Sequence, residues 1–162
     1  MSLEIRVGQG FDVHRMGDDQ DRPLVLGGCR FPGLPGLVGH SDGDAIAHAV
    51  AEALLGAAGL GDIGQHFPDT DPAHRNADSI ELLRHVVAEV RAGAWSIGNV
   101  DCSVVCEQPR LAPMRDEMQS RLSAAVGAPV TVKGRRPEGL GALGRGEGLA
   151  CFAVAVLVRG AA

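Results

Sequence analysis

The spacing of hydrophobic residues changes several times along the chain, and each change marks a predicted element. Short segments in which apolar and polar residues alternate, or in which apolar residues run together, predict strands. These segments are residues 5–13, 23–28 (a short strand and its turn), 99–107, 130–133 and 149–158. Segments whose apolar residues recur three and four positions apart predict helices, and they are residues 44–58, 78–92 and 112–126.

Glycine and proline separate these elements. Gly59 and Gly61 end the first predicted helix, and Gly93 is suited to cap the second. Pro113 stands near the start of the third, where its missing N–H costs nothing. The Gly- and Pro-rich residues 32–39 predict a loop.

The order of the elements, β(ββ)ααβαββ, predicts an α+β fold. We expect a four-stranded mixed sheet with helices on one face, plus a small β-hairpin. The near-continuous apolar run at residues 149–158 is typical of a buried central strand. The chain shows no internal repeat and no low-complexity linker, so we predict a single domain over residues 1–162.

Composition narrows the classes of function. The formal net charge of the 162 residues is −5 and aromatic residues make up 3% of them, which argues against a nucleic-acid partner. The N-terminal residues carry no targeting pattern, and no apolar run is long enough for a membrane span. The four cysteines have no disulfide-like spacing, which favours the reducing cytoplasm.

The first candidates for chemistry are an Asp-x-His pair and a histidine on the first predicted helix. Asp12 and His14 are two apart on a strand and point to the same face. Asp44 and His48 are four apart and share a helix face. One aspartate with two histidines suits a catalytic zinc that keeps a fourth position open. The alternatives are ordinary hydrogen-bonded histidines, and a helix N-cap role for Asp42 or Asp44.

The second candidate is the stretch 134–148, in which six of fifteen residues are glycine. It contains a GxGxxG match, but we reject a dinucleotide site because a strand, rather than a helix, is predicted next. Two interpretations stay open: a long hairpin loop that needs positive φ, and a loop whose amides approach phosphates. Arg135, Arg136 and Arg145 favour an anionic ligand, and Glu138 would suit Mg²⁺.

The third candidate is residues 61–71, between two predicted helices. This segment is rich in Asp, His and Gly. It is either a solvated loop with turns at Asp69 and Asp71, or a loop that closes over a substrate.

Five motifs occur together and in a fixed order. They are Gly10-Phe11-Asp12-Val13-His14, His40-Ser41-Asp42-Gly43-Asp44 with His48, residues 59–64, Phe67-Pro68-Asp69-Thr70-Asp71, and Gly144-Arg145-Gly146-Glu147-Gly148. On these motifs the chain resembles the 2-C-methyl-D-erythritol 2,4-cyclodiphosphate synthases, a family of the non-mevalonate isoprenoid pathway. The resemblance covers nearly the whole chain, from about residue 6 to residue 158.

The resemblance implies a reaction and its metals. The family converts 4-diphosphocytidyl-2-C-methyl-D-erythritol 2-phosphate into the 2,4-cyclodiphosphate and CMP. The matching positions imply that Asp12, His14 and His48 bind Zn²⁺ and that Glu138 holds Mg²⁺ (or Mn²⁺) between two phosphates. These four residues are therefore the expected catalytic residues.

The resemblance also implies substrate contacts and an assembly. The family forms homotrimers with active sites between subunits, and some members hold an isoprenoid diphosphate at the trimer axis, which would lie near Arg145. The implied contacts go to the phosphates, the methylerythritol moiety and the cytidine. They are His40, Ser41, Asp62, Gly64, Phe67, Asp69, Asp71, Cys106, Pro109, Arg110, Leu111, Gly134, Arg135, Arg136 and Arg145.

The chain departs from the family at residues 134–137. Gly134-Arg135-Arg136-Pro137 stands where the family usually has an Ala-Thr-Thr-Thr run. Arginine would replace the lost threonine contacts through charge. Two other functions stay open: a zinc-dependent phosphohydrolase acting on a related nucleotide diphosphate, and a catalytically silent trimer that binds isoprenoid diphosphates.

Overall fold

A computed structural model describes residues 2–160. The strands, in chain order, are β1 (Leu3–Arg15), β2 (Pro23–Leu26), β3 (Cys29–Pro35), β4 (Ser96–Val105), β5 (Val130–Arg135) and β6 (Gly148–Gly160). The helices are α1 (Ala45–Ala58), α2 (Ile63–His66), α3 (Ser79–Ala92), α4 (Arg115–Val126) and α5 (Gly141–Gly144). Short 3-10 turns lie at Pro72–His74 and Ala112–Met114.

The main sheet has the strand order β1-β6-β4-β5. Its neighbours are antiparallel except for β4 and β5, which are parallel. The β2–β3 hairpin forms a separate two-stranded sheet. Helices α1 and α4 pack on one face of the main sheet, and α3 packs against both of them. The predicted α+β fold, with a mixed four-stranded sheet and a small hairpin, is confirmed.

Glycines in β1 let α1 lie unusually close to the sheet. A Cβ atom built on Gly10 would be 1.9 Å from the carbonyl oxygen of Ala49, and one on Gly8 would be 2.0 Å from that of Ala53. Only glycine fits beneath the helix at these two positions. This close approach brings the first turn of α1 against the end of β1, where Asp12 lies.

Strand β6 lies at the centre of the sheet, as its apolar sequence predicts, but only one of its faces is buried within the chain. Phe152 and Val154 are each 44% exposed on the face away from the helices. From β1, Val7 (65%), Phe11 (48%) and Val13 (54%) join them. The expectation of a wholly buried strand is therefore wrong for this chain by itself, because helices cover a single face of the sheet.

The structure corrects two predicted loops. Residues 32–35 belong to β3, because this hairpin strand has no third neighbour among the described residues and tolerates the missing N–H of proline. Residues 134–148 do not close a hairpin, since β5 pairs with β4 while β6 pairs with β1 and β4. The segment contains the one-turn helix α5, and Gly139, Gly141 and Gly146 have the positive φ that was expected.

Helix ends agree with the sequence at most positions. Asp44 caps the start of α1, and Gly59 ends it in the left-handed conformation with φ 72°. Gly93 is the C-cap of α3, as predicted, but its φ is −77°, and the positive φ (60°) falls on the next residue, Ala94. The third predicted helix begins as the 3-10 turn Ala112–Met114 before α4.

All four cysteines are free and buried. No helix within residues 2–160 is long and apolar enough to cross a membrane.

Candidate active site

Three polar side chains meet where the end of β1 faces the first turn of α1. The Oδ2 atom of Asp12 is 2.9 Å from His14 Nε2 and 3.1 Å from His48 Nδ1. The same two imidazole nitrogens are 3.3 Å apart. All three side chains are half-buried. The pair two residues apart on β1 and the histidine in the first turn of α1 therefore bring their side chains together.

The outer nitrogen of each imidazole is occupied by another group. His14 Nδ1 lies 2.7 Å from the carbonyl oxygen of Val38, which can only accept, so His14 carries its proton on Nδ1. In the neutral imidazole the Nε2 lone pair then faces Asp12 and His48, and in the protonated imidazole Nε2–H donates to Asp12. His48 Nε2 lies 2.8 Å from the hydroxyl of Ser79 and 3.1 Å from that of Ser41.

Asp12 is electrostatically suited to stay ionised. Burial raises the pKa of Asp12, but the neighbouring imidazoles of His14 and His48 outweigh it and lower the pKa to about 2. Burial lowers the pKa of His14, and the hydrogen bond and charge of Asp12 outweigh that effect and raise it. Asp12 therefore presents a carboxylate to its neighbours at neutral pH.

The three side chains fit a divalent metal ion. Their inward atoms are one carboxylate oxygen and two imidazole nitrogens, a donor set that zinc accepts. A tetrahedral centre with bonds of about 2.0–2.1 Å spaces its ligand atoms about 3.3–3.4 Å apart. The observed separations of 2.9 Å, 3.1 Å and 3.3 Å are close to this spacing. In the part of the chain that the structure describes, Asp12, His14 and His48 form the one group of this kind.

Asp44 is not part of this group, although it shares a helix face with His48. Its carboxylate is fully buried and accepts from the amides of Ile46 and Ala47, which confirms the predicted N-cap role. It also accepts from the amides of Gly27 and Gly28 and so joins the β2–β3 turn to α1.

A small cavity of about 120 Å³ opens beside the triad. Several predicted contact residues line it, together with Ile63, His74 and Leu82, which sequence reasoning did not select. The predicted ones are His14, His40, Ser41, His48, Phe67 and Asp69.

The segment between α1 and α3 closes one side of this cavity. His40 Nε2 lies 2.9 Å from the carbonyl oxygen of Asp71, which fastens the segment to the triad side. Asp71 itself accepts from the amide of Ala73, as a turn residue should. Asp62 caps α2 through the amide of Gln65, and the neighbouring Gly64 is exposed.

A second cavity, of about 250 Å³, lies at the β5 edge of the sheet. It is lined by all seven predicted contact residues from residues 106–111, the segment that the resemblance assigns to cytidine binding, and from the start of the 134–148 stretch. These are Cys106, Pro109, Arg110, Leu111, Gly134, Arg135 and Arg136. Arg136 is held 2.8 Å from Glu107, and Arg115 also lines the cavity; neither Glu107 nor Arg115 was selected from the sequence.

The two cavities lie at the same end of the sheet but near opposite edges. Strand register places Asp12, Cys151, Val104 and Gly134 in one row across the sheet. Three interstrand steps separate Asp12 from Gly134, which is about 14–15 Å. The triad and the arginine-rich cavity of one chain therefore do not form a single compact site.

Glu138 and Arg145 lie in the loop between β5 and β6. Glu138 is exposed, has a φ of 56°, and is not part of the metal-ligand group of the described residues. Arg145 pairs with Glu147 at 2.6 Å. The structure does not bring either residue to the triad of its own chain.

The sequence that carries these motifs is similar to known proteins over nearly its whole length. A family model described as the YgbB family matches residues 5–158. The chain belongs to the YgbB family. Its residues Asp12, His14 and His48 all lie within the matched range.

Relatives in the YgbB family are similar over nearly the whole chain. The 2-C-methyl-D-erythritol 2,4-cyclodiphosphate synthase of Bordetella petrii is 51% identical over 162 residues, covering 98% of this chain and 99% of the relative. The bifunctional IspDF of Campylobacter jejuni is 41% identical with a TM-score of 0.92, covering 98% of this chain and 43% of that one. IspF of Plasmodium falciparum, solved as a CDP complex, is 32% identical with a TM-score of 0.83, covering 97% of each chain.

Some residues of the site carried no recognisable sequence signal. Ser79 stands at the start of α3, where serine is an ordinary helix-start residue, yet it contacts His48. Arg22 donates to the carbonyl oxygens of Leu37, Gly39 and Ser41 from a polar segment before β2. Such contacts join residues far apart in the chain, and single-sequence patterns do not encode them.

Proposed function

We propose that the chain converts 4-diphosphocytidyl-2-C-methyl-D-erythritol 2-phosphate into 2-C-methyl-D-erythritol 2,4-cyclodiphosphate and CMP. The observation that carries the proposal is the convergence of Asp12, His14 and His48 in a chain of the YgbB family. The naming of the Bordetella petrii relative, aligned over 98% of this chain, supports the choice of reaction.

The reaction needs no protein nucleophile. An oxygen of the substrate's 2-phosphate attacks the β-phosphorus, a new P–O bond forms, and the bond to the bridging oxygen breaks so that CMP leaves. Because attacker and target belong to one molecule, the site has only to fold the substrate into line. Burial raises the pKa of the Cys106 thiol to about 11, so this cysteine stays protonated in the second cavity.

We propose Asp12, His14 and His48 as ligands of Zn²⁺, and Glu138 as the residue that holds Mg²⁺ or Mn²⁺. Such ions supply Lewis acids that polarise phosphoryl oxygens and neutralise their charge. Asp12 contributes a full negative charge to the centre, and His14 contributes a nitrogen whose orientation is set by Val38. His40 and Ser41 line the adjoining cavity and are placed to orient the phosphates.

The arginine-rich cavity is the proposed cytidine end of the site. Its walls combine backbone of residues 106–111 with guanidinium groups, which suit a nucleotide with a diphosphate. The Plasmodium falciparum relative was solved with CDP, which supports a cytidine nucleotide as the ligand. Asp62, Gly64, Phe67, Asp69 and Asp71 would then flank the methylerythritol end.

We also propose a homotrimer whose active sites lie between subunits. Two features support an assembly: strand register separates Asp12 of the triad from Gly134 of the arginine-rich cavity by about 14–15 Å within one chain, and the sheet exposes an apolar face that includes Phe152 and Val154. An isoprenoid diphosphate near Arg145 at the axis, a cytoplasmic location and a single domain over residues 1–162 stay predictions.

The decisive experiment is a product assay with the purified chain, Zn²⁺ and Mg²⁺. The cytidyl substrate should yield CMP and a cyclic diphosphate in equal amounts, seen by chromatography and by ³¹P spectroscopy. Release of CMP with only a linear phosphate product would instead favour the phosphohydrolase. An absence of turnover together with tight binding of isoprenoid diphosphates would favour the silent binding protein.

A further inference from the structure

His48 is connected through a buried hydroxyl to a carboxylate that no proposed role has used. Ser79, at the start of α3, is 1% exposed. Its Oγ is 2.8 Å from His48 Nε2 and 2.5 Å from Asp42 Oδ1. Because a carboxylate oxygen accepts and the hydroxyl has one proton, Ser79 donates to Asp42. Ser79 Oγ can then only accept from His48, whose Nε2 must carry a proton.

Asp42 is held firmly enough to direct this arrangement. Its Oδ2 accepts from the backbone N–H of Ser79 at 3.1 Å, and its Oδ1 accepts from that of Asp44 at 3.0 Å. The Asp42 amide donates to the carbonyl oxygen of Ala77 at 3.0 Å. Backbone bonds to the starts of both α1 and α3 therefore fix the carboxylate, and side-chain rotation would break them.

A competing arrangement involves Ser41. Its hydroxyl, 3.1 Å from His48 Nε2, could donate to that nitrogen and leave the proton of His48 on Nδ1. That tautomer would point an N–H at Asp12 and would have no lone pair for a metal ion. Ser41 Oγ also accepts from the Gly43 amide and lies 3.3 Å from Ser79 Oγ. The shorter contact and the charge of Asp42 favour the Ser79 arrangement, whereas the Asp12 carboxylate, 3.1 Å from Nδ1, favours the competing one until a metal ion lies between them.

We infer that Ser79 and Asp42 are positioning residues that keep the His48 proton on Nε2 and so present the Nδ1 lone pair to a metal ion. Groups outside the ligand shell commonly fix a histidine tautomer, and their removal lowers metal affinity. The inference rests on the metal centre proposed above. It adds a residue of α3 to a site otherwise built from β1 and α1.

The first test measures Zn²⁺ affinity by letting the protein compete with a chromophoric chelator for the ion, and it needs no activity assay. Ser79→Ala should weaken Zn²⁺ binding about 10- to 100-fold. Ser79→Thr keeps the hydroxyl and should restore most of the affinity. Ser123→Ala removes a hydroxyl from α4 and is the matched control. Asp78→Asn alters a charge at the start of α3 but keeps an N-cap, and it should leave Zn²⁺ affinity unchanged.

The second test reads the tautomer in the metal-free protein. Long-range ¹H–¹⁵N spectra of the imidazoles at pH 8 should show the wild-type His48 proton on Nε2, and Ser79→Ala should populate the Nδ1–H form. A wild-type His48 with no proton on Nε2 would overturn the inference even if Ser79→Ala failed to fold. Equal Zn²⁺ affinities for Ser79→Ala and Ser123→Ala would overturn it as well.

Failure of the metal centre has a different signature. A wild-type chain that binds no Zn²⁺ contradicts the proposed function, whereas the tautomer spectra still report whether Ser79 and Asp42 control His48. Tight wild-type binding that Ser79→Ala does not change leaves the centre in place and removes only the role of Ser79.

Discussion

At the scale of single residues, the site depends on how each histidine divides its two nitrogens. His14 turns Nε2 inward and donates from Nδ1 to a backbone carbonyl. His48 does the reverse, with Nδ1 inward and two hydroxyls around Nε2. Asp12 bridges the two inward nitrogens. The two histidines, each oriented by a different neighbour, thus aim a ring nitrogen at the same point as the Asp12 carboxylate.

We predict that His48→Ala loses zinc and turnover but keeps the fold, because the imidazole is one of three donors and lies half-buried at the helix surface. Metal content of the purified protein and CMP release are the measurements. His85→Ala, on the exposed side of α3, is the control and should behave like wild type. Full activity in zinc-free His48→Ala protein would contradict the mechanism.

At the scale of elements, the site depends on how closely α1 approaches β1. Gly8 and Gly10 leave no side chain between the strand and the carbonyl oxygens of Ala49 and Ala53. His48 immediately precedes Ala49, so a displaced helix would also displace a metal ligand. The packing of α1 on β1 and the position of His48 beside Asp12 and His14 therefore both require the helix to lie this close to the strand.

We predict that Gly10→Ala destabilises the protein by about 1–3 kcal/mol, because the new methyl group would overlap backbone atoms of α1. The matched change is Gly56→Ala, in α1 itself, where the nearest other atom is 3.9 Å from an added Cβ. That variant should be more stable by about 0.5–1 kcal/mol, since glycine weakens a helix interior. Urea denaturation measures both, and a stable Gly10→Ala protein would show that α1 can shift.

The position of one segment without regular secondary structure depends on side-chain contacts. Residues 37–41 follow the hairpin and carry Val38 and Ser41 towards the histidines. Arg22 holds the segment through three carbonyl oxygens, those of Leu37, Gly39 and Ser41.

We predict that Arg22→Met lowers the free energy of unfolding by about 1–3 kcal/mol, because carbonyl groups in a half-buried position lose their donor. Amide exchange at residues 38–41 should also accelerate. Arg30→Met changes an exposed arginine of β3 and serves as the control. Unchanged exchange in Arg22→Met would mean that other contacts hold the segment.

The elements also show what sequence patterns capture. The periods of α1, α3 and α4 and the N-cap of Asp44 are local properties, and they were predicted correctly. The hairpin was predicted, but residues 32–35 of β3 were assigned to a loop because prolines are typical of loops, although a strand outside the main sheet accepts them. The contact of Ser79 with His48 spans 31 positions and depends on how α3 packs, so no local pattern reports it.

At the scale of the whole molecule, the two halves of the proposed site lie towards opposite edges of one sheet. Most of the residues predicted from one motif line the same cavity, but the sequence of one chain does not show whether both halves belong to one copy. The sequence also does not show that β1 and β6 expose an apolar face. Both faces of β6 carry apolar residues, so no alternation with polar residues marks the exposed face.

We predict that two inactive variants complement each other when they are co-expressed. His48→Ala removes a metal ligand, and Arg110→Glu places a negative charge in the arginine-rich cavity. If the halves of each site come from different subunits, about one quarter of all sites are intact when the two variants assemble at random into trimers. CMP release by the purified mixture measures the recovery.

The control is co-expression of His48→Ala with Asp12→Ala, which should recover no activity because both changes affect the same half. Recovery in neither mixture, with trimers present by sedimentation, would place a complete site within each chain.

Strands β1 and β6 pair along their full lengths, from Leu3 opposite Gly160 to Arg15 opposite Gly148. Among the described strands, β6 is the only partner of β1 in the main sheet. A ribosome delivers the first of these strands long before the last, and β1 cannot join the sheet until β6 has emerged. Asp12 and His14 therefore reach their final positions among the last steps of folding. A nascent or shortened chain that lacks β6 should consequently bind zinc poorly, because Asp12 and His14 would lack the strand that holds them in the sheet.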